Sequence, residues 1–221
     1  MIIGDDFLFI HCPKTGGSSF EAMMKDRHGL DVHGHQHDTA ADIPAEHSDK
    51  FTFGFLRDPL MAEVSNWRYH AQAWNARYSL TFERWCTWRY DHRSKEYGEQ
   101  VGLTDHQVDY GYIFNVRPSA GYFCDSTGKC VADVIYRYEE IEAALEDIGD
   151  RLGKDCSISG FTNMSYSWSR GREDYAQHVT DKAYELVYKA KKIDFDLHGT
   201  IGPISVDYQT EVAPNYAYTR P

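Results

Sequence analysis

Apolar positions along the chain fall into short continuous runs and helical stripes that alternate. Phe7–His11, an apolar run of strand length closed before Pro13, reads as a buried first strand. Residues 18–27 then read as a helix, and Phe51-Thr52-Phe53-Gly54-Phe55-Leu56-Arg57 as a second strand. Asp58-Pro59 follows, an N-cap residue before a proline at the first helical position. Behind it Leu60, Val64, Trp67, Ala71, Trp74 and Tyr78 recur at helical steps and form one face of an amphipathic helix. A hairpin-like stretch around Ser126-Thr127-Gly128 leads into Val131–Tyr138, a further strand. Glu139–Leu152 is the clearest helix, with Ile141, Ala144, Leu145, Ile148 and Leu152 on one face and Gly153 suited to the C′ position. Asp181–Phe195 reads as the last helix. Strands alternating with helices predict the α/β class, a central parallel sheet flanked by helices on both faces. Residues 28–50, 77–130 and 154–178 are polar or aromatic without clean periodicity, and read as loop-rich excursions from a single domain spanning 1–221.

Charge narrows the partners. The formal net charge is −11, so the long-range field opposes nucleic acid and heavily sulfated polymers. Any anion site must be a local basic pocket. No stretch approaches the ~20 apolar residues of a membrane helix, and Met1–Asp6 lacks the regions of a signal peptide, so a cytoplasmic protein without membrane partners is expected. The five cysteines lack metal-site spacing. Cys124 and Cys130 flank Asp-Ser-Thr-Gly-Lys, which allows a hairpin disulfide in an oxidising compartment; free thiols are the expectation in the cytoplasm.

The candidate chemistry starts at Pro13-Lys14-Thr15-Gly16-Gly17-Ser18-Ser19, between the first strand and the first helix. Glycines let backbone N–H groups converge on an anion, and the helix start adds its positive dipole end. Lysine and hydroxyls add charge and hydrogen bonds. The nucleotide-triphosphatase loop has its lysine after the glycines, whereas Lys14 precedes Gly16 and Gly17. A second signature is Arg57-Asp58-Pro59, at the C-terminal end of the second strand, where ligands of open α/β sheets bind. Ser65 follows eight residues after Arg57, in the next helix. An arginine fork and a serine hydroxyl there suit one phosphate.

The two motifs in this order resemble those of carbohydrate-type sulfotransferases that use PAPS (3′-phosphoadenosine 5′-phosphosulfate), similar to the heparan sulfate 2-O-sulfotransferase group and its microbial relatives. The resemblance continues through Tyr138-Glu139-Glu140-Ile141, Asn163 with Ser165, and Tyr188 to Gly199, and is weak over 77–130. It implies a P-loop-like sulfotransferase fold. It also implies that Lys14, Thr15, Gly16, Gly17, Ser18 and Ser19 hold the 5′-phosphosulfate, and that Arg57 and Ser65 hold the 3′-phosphate. Arg170 or Arg172 are candidates for further anchoring of that phosphate. The implied reaction moves a sulfuryl group from PAPS to an acceptor hydroxyl, with PAP as product and no metal. The acceptor expected from the acidic charge is a neutral or lightly charged glycan or a small hydroxylated molecule.

His33-Gly34-His35-Gln36-His37 lies between the two motifs and admits three readings. In extended backbone the three histidines share a face, as in a three-histidine zinc site. The stretch also reads as a solvated loop. The resemblance implies the third reading, in which His35 is the catalytic base and His33 a supporting residue, a role suited to an imidazole near neutral pH. Two rival functions remain on the sequence: a P-loop kinase using magnesium and ATP, and a non-catalytic binding protein of the same fold.

Overall fold

A computed structural model of the chain describes residues 1–73, 81–92, 117–157 and 177–200. The chain divides into two compact units. Met1–Arg57, Ser119–Met164 and Leu197–Pro221 make up the first, and Asp58–Pro118 with Ser165–Asp196 the second.

The first unit is built on a four-stranded mixed sheet in the order β1-β2-β3-β4. The strands are β1 (Ile2–Ile3), β2 (Phe7–Ile10), β3 (Phe51–Leu56) and β4 (Val134–Arg137). β2, β3 and β4 are parallel, in the register Ile10↔Gly54 and Leu56↔Arg137. β1 adds an antiparallel edge, Ile2 opposite Phe9, which the sequence reading did not foresee. Two residues are too few for a periodic signal.

Alternation along the strands divides the core. Phe7, Phe9, Phe53, Phe55, Val134 and Tyr136 face one side, where they meet Phe20, Met23 and Met24 of α1 (Gly17–His28). Ile141, Ala144, Leu145 and Ile148 of α4 (Ile141–Leu152) complete that layer. The phenylalanine rings interlock, Phe9 to Phe20 at 4.5 Å and Phe9 to Phe53 at 5.5 Å. Each fully buried ring contributes roughly 1.5–3 kcal/mol. Leu8, Ile10, Leu56 and Ile135 face the other side, against Ala40, Tyr122, Phe123 and Cys130. That face is covered by the 3-10 turn Ser119–Phe123, by loop residues and by Leu197 of the helix Lys192–Thr200. Gly54 permits the fit, since a Cβ there would lie 2.5 Å from the Phe123 ring.

Most of the remaining expectations appear with shifted ends. A short 3-10 turn, Tyr138–Glu140, precedes α4, and Gly153 closes it in the left-handed conformation. Cys124 and Cys130 face each other across the turn at Asp125–Lys129 in an antiparallel bridge, and both are free thiols.

The second unit is helical where described. α2 (Pro59–Ala73) begins as its sequence predicts, with Asp58 Oδ1 accepting the Met61 N–H at 2.9 Å. α3 (Phe82–Cys86) runs into a π-helical segment, Thr87–His92. The expected single helix 181–195 is two, α5 (Asp181–Ala190) and α6 (Lys192–Thr200). They break at Lys191, which is buried and lies 3.7 Å from Glu63. Glu63 Oε1 also accepts the Trp85 Nε1–H at 2.8 Å and sits 2.9 Å from Arg89 Nε. Burial alone would raise this carboxyl's pKa; the charges of Arg89 and Lys191 outweigh it and hold the group below its ordinary value. Val64, Trp85, Trp88, Ala183 and Val187 pack around the cluster's elements as an apolar core.

Candidate functional site

Three adjacent parallel strands of the first unit deliver their following residues to one edge of the sheet. β2 leads into His11–Gly16 and then α1, β3 leads into Arg57, and β4 leads into Tyr138. This is the carboxyl edge of the parallel strands, where sheet geometry opens a crevice for ligands.

The loop after β2 is held in an unusual shape. Lys14 has φ +66, the one described residue other than glycine in left-handed backbone, and Gly16 has φ +81. A non-glycine side chain in that region costs about 1–2 kcal/mol, so the surroundings must enforce it. Two contacts do so. Thr15 Oγ1 donates to the Cys12 carbonyl at 2.7 Å, and Arg57 Nη1 donates to the Lys14 carbonyl at 3.3 Å. The Arg57 guanidinium lies over the Tyr138 ring, 4.8 Å from its centroid. The same ring covers Gly16, where a Cβ would come within 2.5 Å of it. Gly17 packs equally closely against the His11 ring, with 2.1 Å from a built Cβ to Cδ2. Both glycines of the motif are therefore required by close approach.

α1 starts at Gly17 with no side chain capping it. Its first N–H groups, those of Gly17 and Ser18, have no acceptor within the helix and carry the positive end of its dipole. Ser18 is exposed and Ser19 half-buried beside them. Burial, and then the positive charge of Arg57, lowers the Lys14 ammonium to about 8. A strongly acidic chain thus gathers a lysine, an arginine and a helix start at one edge, an arrangement suited to a phosphate or phosphosulfate.

Ser65 is buried on α2, in the second unit, as is its neighbour Asn66. Arg170, Arg172, Asn163 and Ser165 fall outside the described residues. The histidine stretch is a turn and not a strand. Gly34 has φ +65, and Asp38 Oδ2 accepts the His35 N–H at 2.7 Å. In that turn His33 and His35 are exposed while His37 is half-buried against the His11 ring, 4.5 Å between centroids. The three histidines do not share a face. Among the described residues, no group of three or more His, Cys, Asp or Glu is placed to hold a metal ion.

Sequence reading gave no role to His11, Glu21, Gln36 or Tyr138, which structure puts at or beneath the loop. Glu21 carried a signal: it is an acidic residue between the buried Phe20 and Met23. Tyr138 was marked by its place in the Tyr138-Glu139-Glu140-Ile141 resemblance, but its approach to Gly16 depends on β4 pairing with β3.

No protein-family model, curated protein sequence or solved structure matches the chain significantly. Its function must be argued from these residues and their geometry. No described helix is long and apolar enough to cross a membrane.

Proposed function

We propose that this protein is a PAPS-dependent sulfotransferase of the P-loop-like sulfotransferase fold, acting in the cytoplasm on a hydroxyl of a glycan or small molecule. The observation that carries the proposal is the pairing of Lys14 and Arg57 at the uncapped start of α1. Two cations drawn together out of water are costly alone and favourable around a polyanion. That chemistry fits a nucleotide bearing phosphate and phosphosulfate groups.

In this reading Gly16, Gly17, Ser18 and Ser19 cradle the 5′-phosphosulfate with amides and hydroxyls. Thr15, whose hydroxyl proton goes to Cys12, acts chiefly by fixing the turn. Lys14 meets the charge that develops on the bridging oxygen as it leaves. Arg57 still has other N–H donors for a phosphate besides the one given to Lys14. The resemblance adds Ser65 and Arg170 to the 3′-phosphate's ligands. The acceptor oxygen forms a bond to sulfur, the bond from sulfur to the bridging oxygen breaks, and its electron pair leaves with PAP. The hydroxyl proton passes to His35, a task that typically supplies ~10²- to 10⁴-fold. His35 is exposed on its turn and within reach of solvent-borne acceptors.

Thermal-shift titration with PAP, ADP and magnesium-ATP tests the donor, and a labelled-PAPS screen over acceptor classes tests the reaction. A PAP-selective shift is expected, with transfer reduced at least ~10²-fold in Lys14→Ala and by orders of magnitude in His35→Ala with PAP binding intact. A shift only with magnesium-ATP would overturn the reading in favour of a kinase. PAP binding without transfer to any acceptor would point to a binding protein, and full turnover in His35→Ala would remove His35 as the base.

A further inference from the structure

Beneath the Lys14 loop lies a polar cluster that the proposed reaction does not use. His11 stands between β2 and the loop and Glu21 on α1, 2% and 7% exposed. His11 Nδ1 donates to Glu21 Oε1 at 2.7 Å. The other carboxylate oxygen accepts from Gln36 Nε2 at 2.6 Å, and Gln36 also donates to Ser18 Oγ at 3.2 Å. His37 Nδ1 lies 3.2 Å from the His11 carbonyl. A carbonyl only accepts, so Nδ1 carries the hydrogen and Nε2 is the acceptor nitrogen. One carboxylate thus joins the end of β2, the first turns of α1 and the turn that bears His35.

Glu21 is a poor choice for an anion site taken by itself. A carboxylate just below the start of α1 repels the phosphate that the helix start attracts. Burial would push Glu21 up, but the hydrogen bond and charge of His11 and the hydrogen bond of Gln36 hold it below its ordinary value, so the negative charge is kept. An apolar residue at position 21 would extend the packing of Phe20, Met23 and Met24 without that repulsion. The carboxylate is accounted for by what it holds in place.

We infer that Glu21 and His11 are positioning residues, which through Gln36 and His37 fix the histidine-bearing turn Gly34–Asp38 to the start of α1. The linkage follows from the geometry; its consequence for transfer rests on the sulfotransferase reading. Electrostatics and positioning predict opposite results for Glu21→Gln, a near-isosteric change that removes the charge. Loss of repulsion alone leaves PAP binding equal or tighter and kcat unchanged. Loss of positioning lowers kcat by ~10- to 100-fold, again without weakening PAP. Gln36→Ala alters an exposed side chain, so folding is preserved, and it removes the turn's direct bond to Glu21 while leaving the His37–His11 contact; it should reproduce part of the fall in kcat. Glu21→Asp should recover part of it.

Ring-nitrogen NMR of the full chain at pH 7 reads the linkage without turnover. His37 should show the Nδ1–H tautomer, and pyrophosphate added at the Lys14 loop should shift its ring signals in wild type and much less in Gln36→Ala. A wild type that transfers no sulfuryl group from PAPS would sink the sulfotransferase reading, while the NMR experiment would still decide the linkage. Unchanged kcat in both Glu21→Gln and Gln36→Ala, or an equal His37 response to pyrophosphate in wild type and Gln36→Ala, overturns the inference.

Discussion

Lys14 in the first unit and Lys191 in the second are both withdrawn from water, and their surroundings treat the charge in opposite ways. Lys191 shares Glu63 with Arg89 and Trp85, so the anion that balances it is part of the chain. There the carboxyl is held below its ordinary range, and Arg89 above its own by that same anion despite its burial. Burial, and then the nearby charge of Arg57, another cation, lowers the Lys14 ammonium to about 8. The backbone differs likewise. Lys191 lies where two helices meet, whereas Lys14 sits in left-handed backbone beneath an arginine that holds its carbonyl. A closed ion cluster stabilises a fold; a strained, like-charged loop is suited to an anion from outside.

Glu63→Ala is the sharpest way to break this contrast. It leaves Arg89 and Lys191 buried without their carboxylate and should cost about 3–5 kcal/mol in urea unfolding. A cost below about 1 kcal/mol would show that the cluster is not closed. The first unit's counterpart is Gly16→Ala, which meets the Tyr138 ring and a positive φ. It should cost about 1–3 kcal/mol and weaken PAP binding at the same time, whereas Glu63→Ala should leave PAP binding unchanged in protein that remains folded.

The smallest effect expected is on pH dependence. A bound anion favours the charged form of Lys14, so its pKa rises in the complex above the free value of about 8. Binding then takes up a proton above pH 8. PAP affinity is full below that pH and falls by up to about tenfold per pH unit above it. Isothermal titration at pH 7, 8 and 9 reads the slope, and Lys14→Arg, which stays charged, should flatten it. A slope unchanged in Lys14→Arg would place the titrating group elsewhere.

Much of the fold was legible where its signals are local. The strand β2, the helix start after Gly16 and the Asp58-Pro59 entry to α2 each follow from residues within a few positions of one another. Gly153 as a helix stop is of the same kind. The misread parts depend on distant partners. β1 exists by pairing with β2, and the helix expected over 181–195 breaks where Lys191 lies by Glu63, more than a hundred residues away. The zinc reading of the histidine stretch required extended backbone, whereas Asp38 folds it into a turn, in keeping with the loop expected over 28–50.

By itself the sequence determined that a glycine-rich basic loop joins a buried strand to a helix, and that an arginine ends the next strand. Spacing and residue type carry that information, because strand, turn and helix starts are short-range. Only the tertiary structure decided that Arg57 reaches the Lys14 carbonyl, that Tyr138 closes over Gly16, and that Glu21 ties His11 to the histidine turn. Those contacts arise from parallel strands laid side by side in a fixed register. Register brings together residues far apart in the chain, and no local pattern records it.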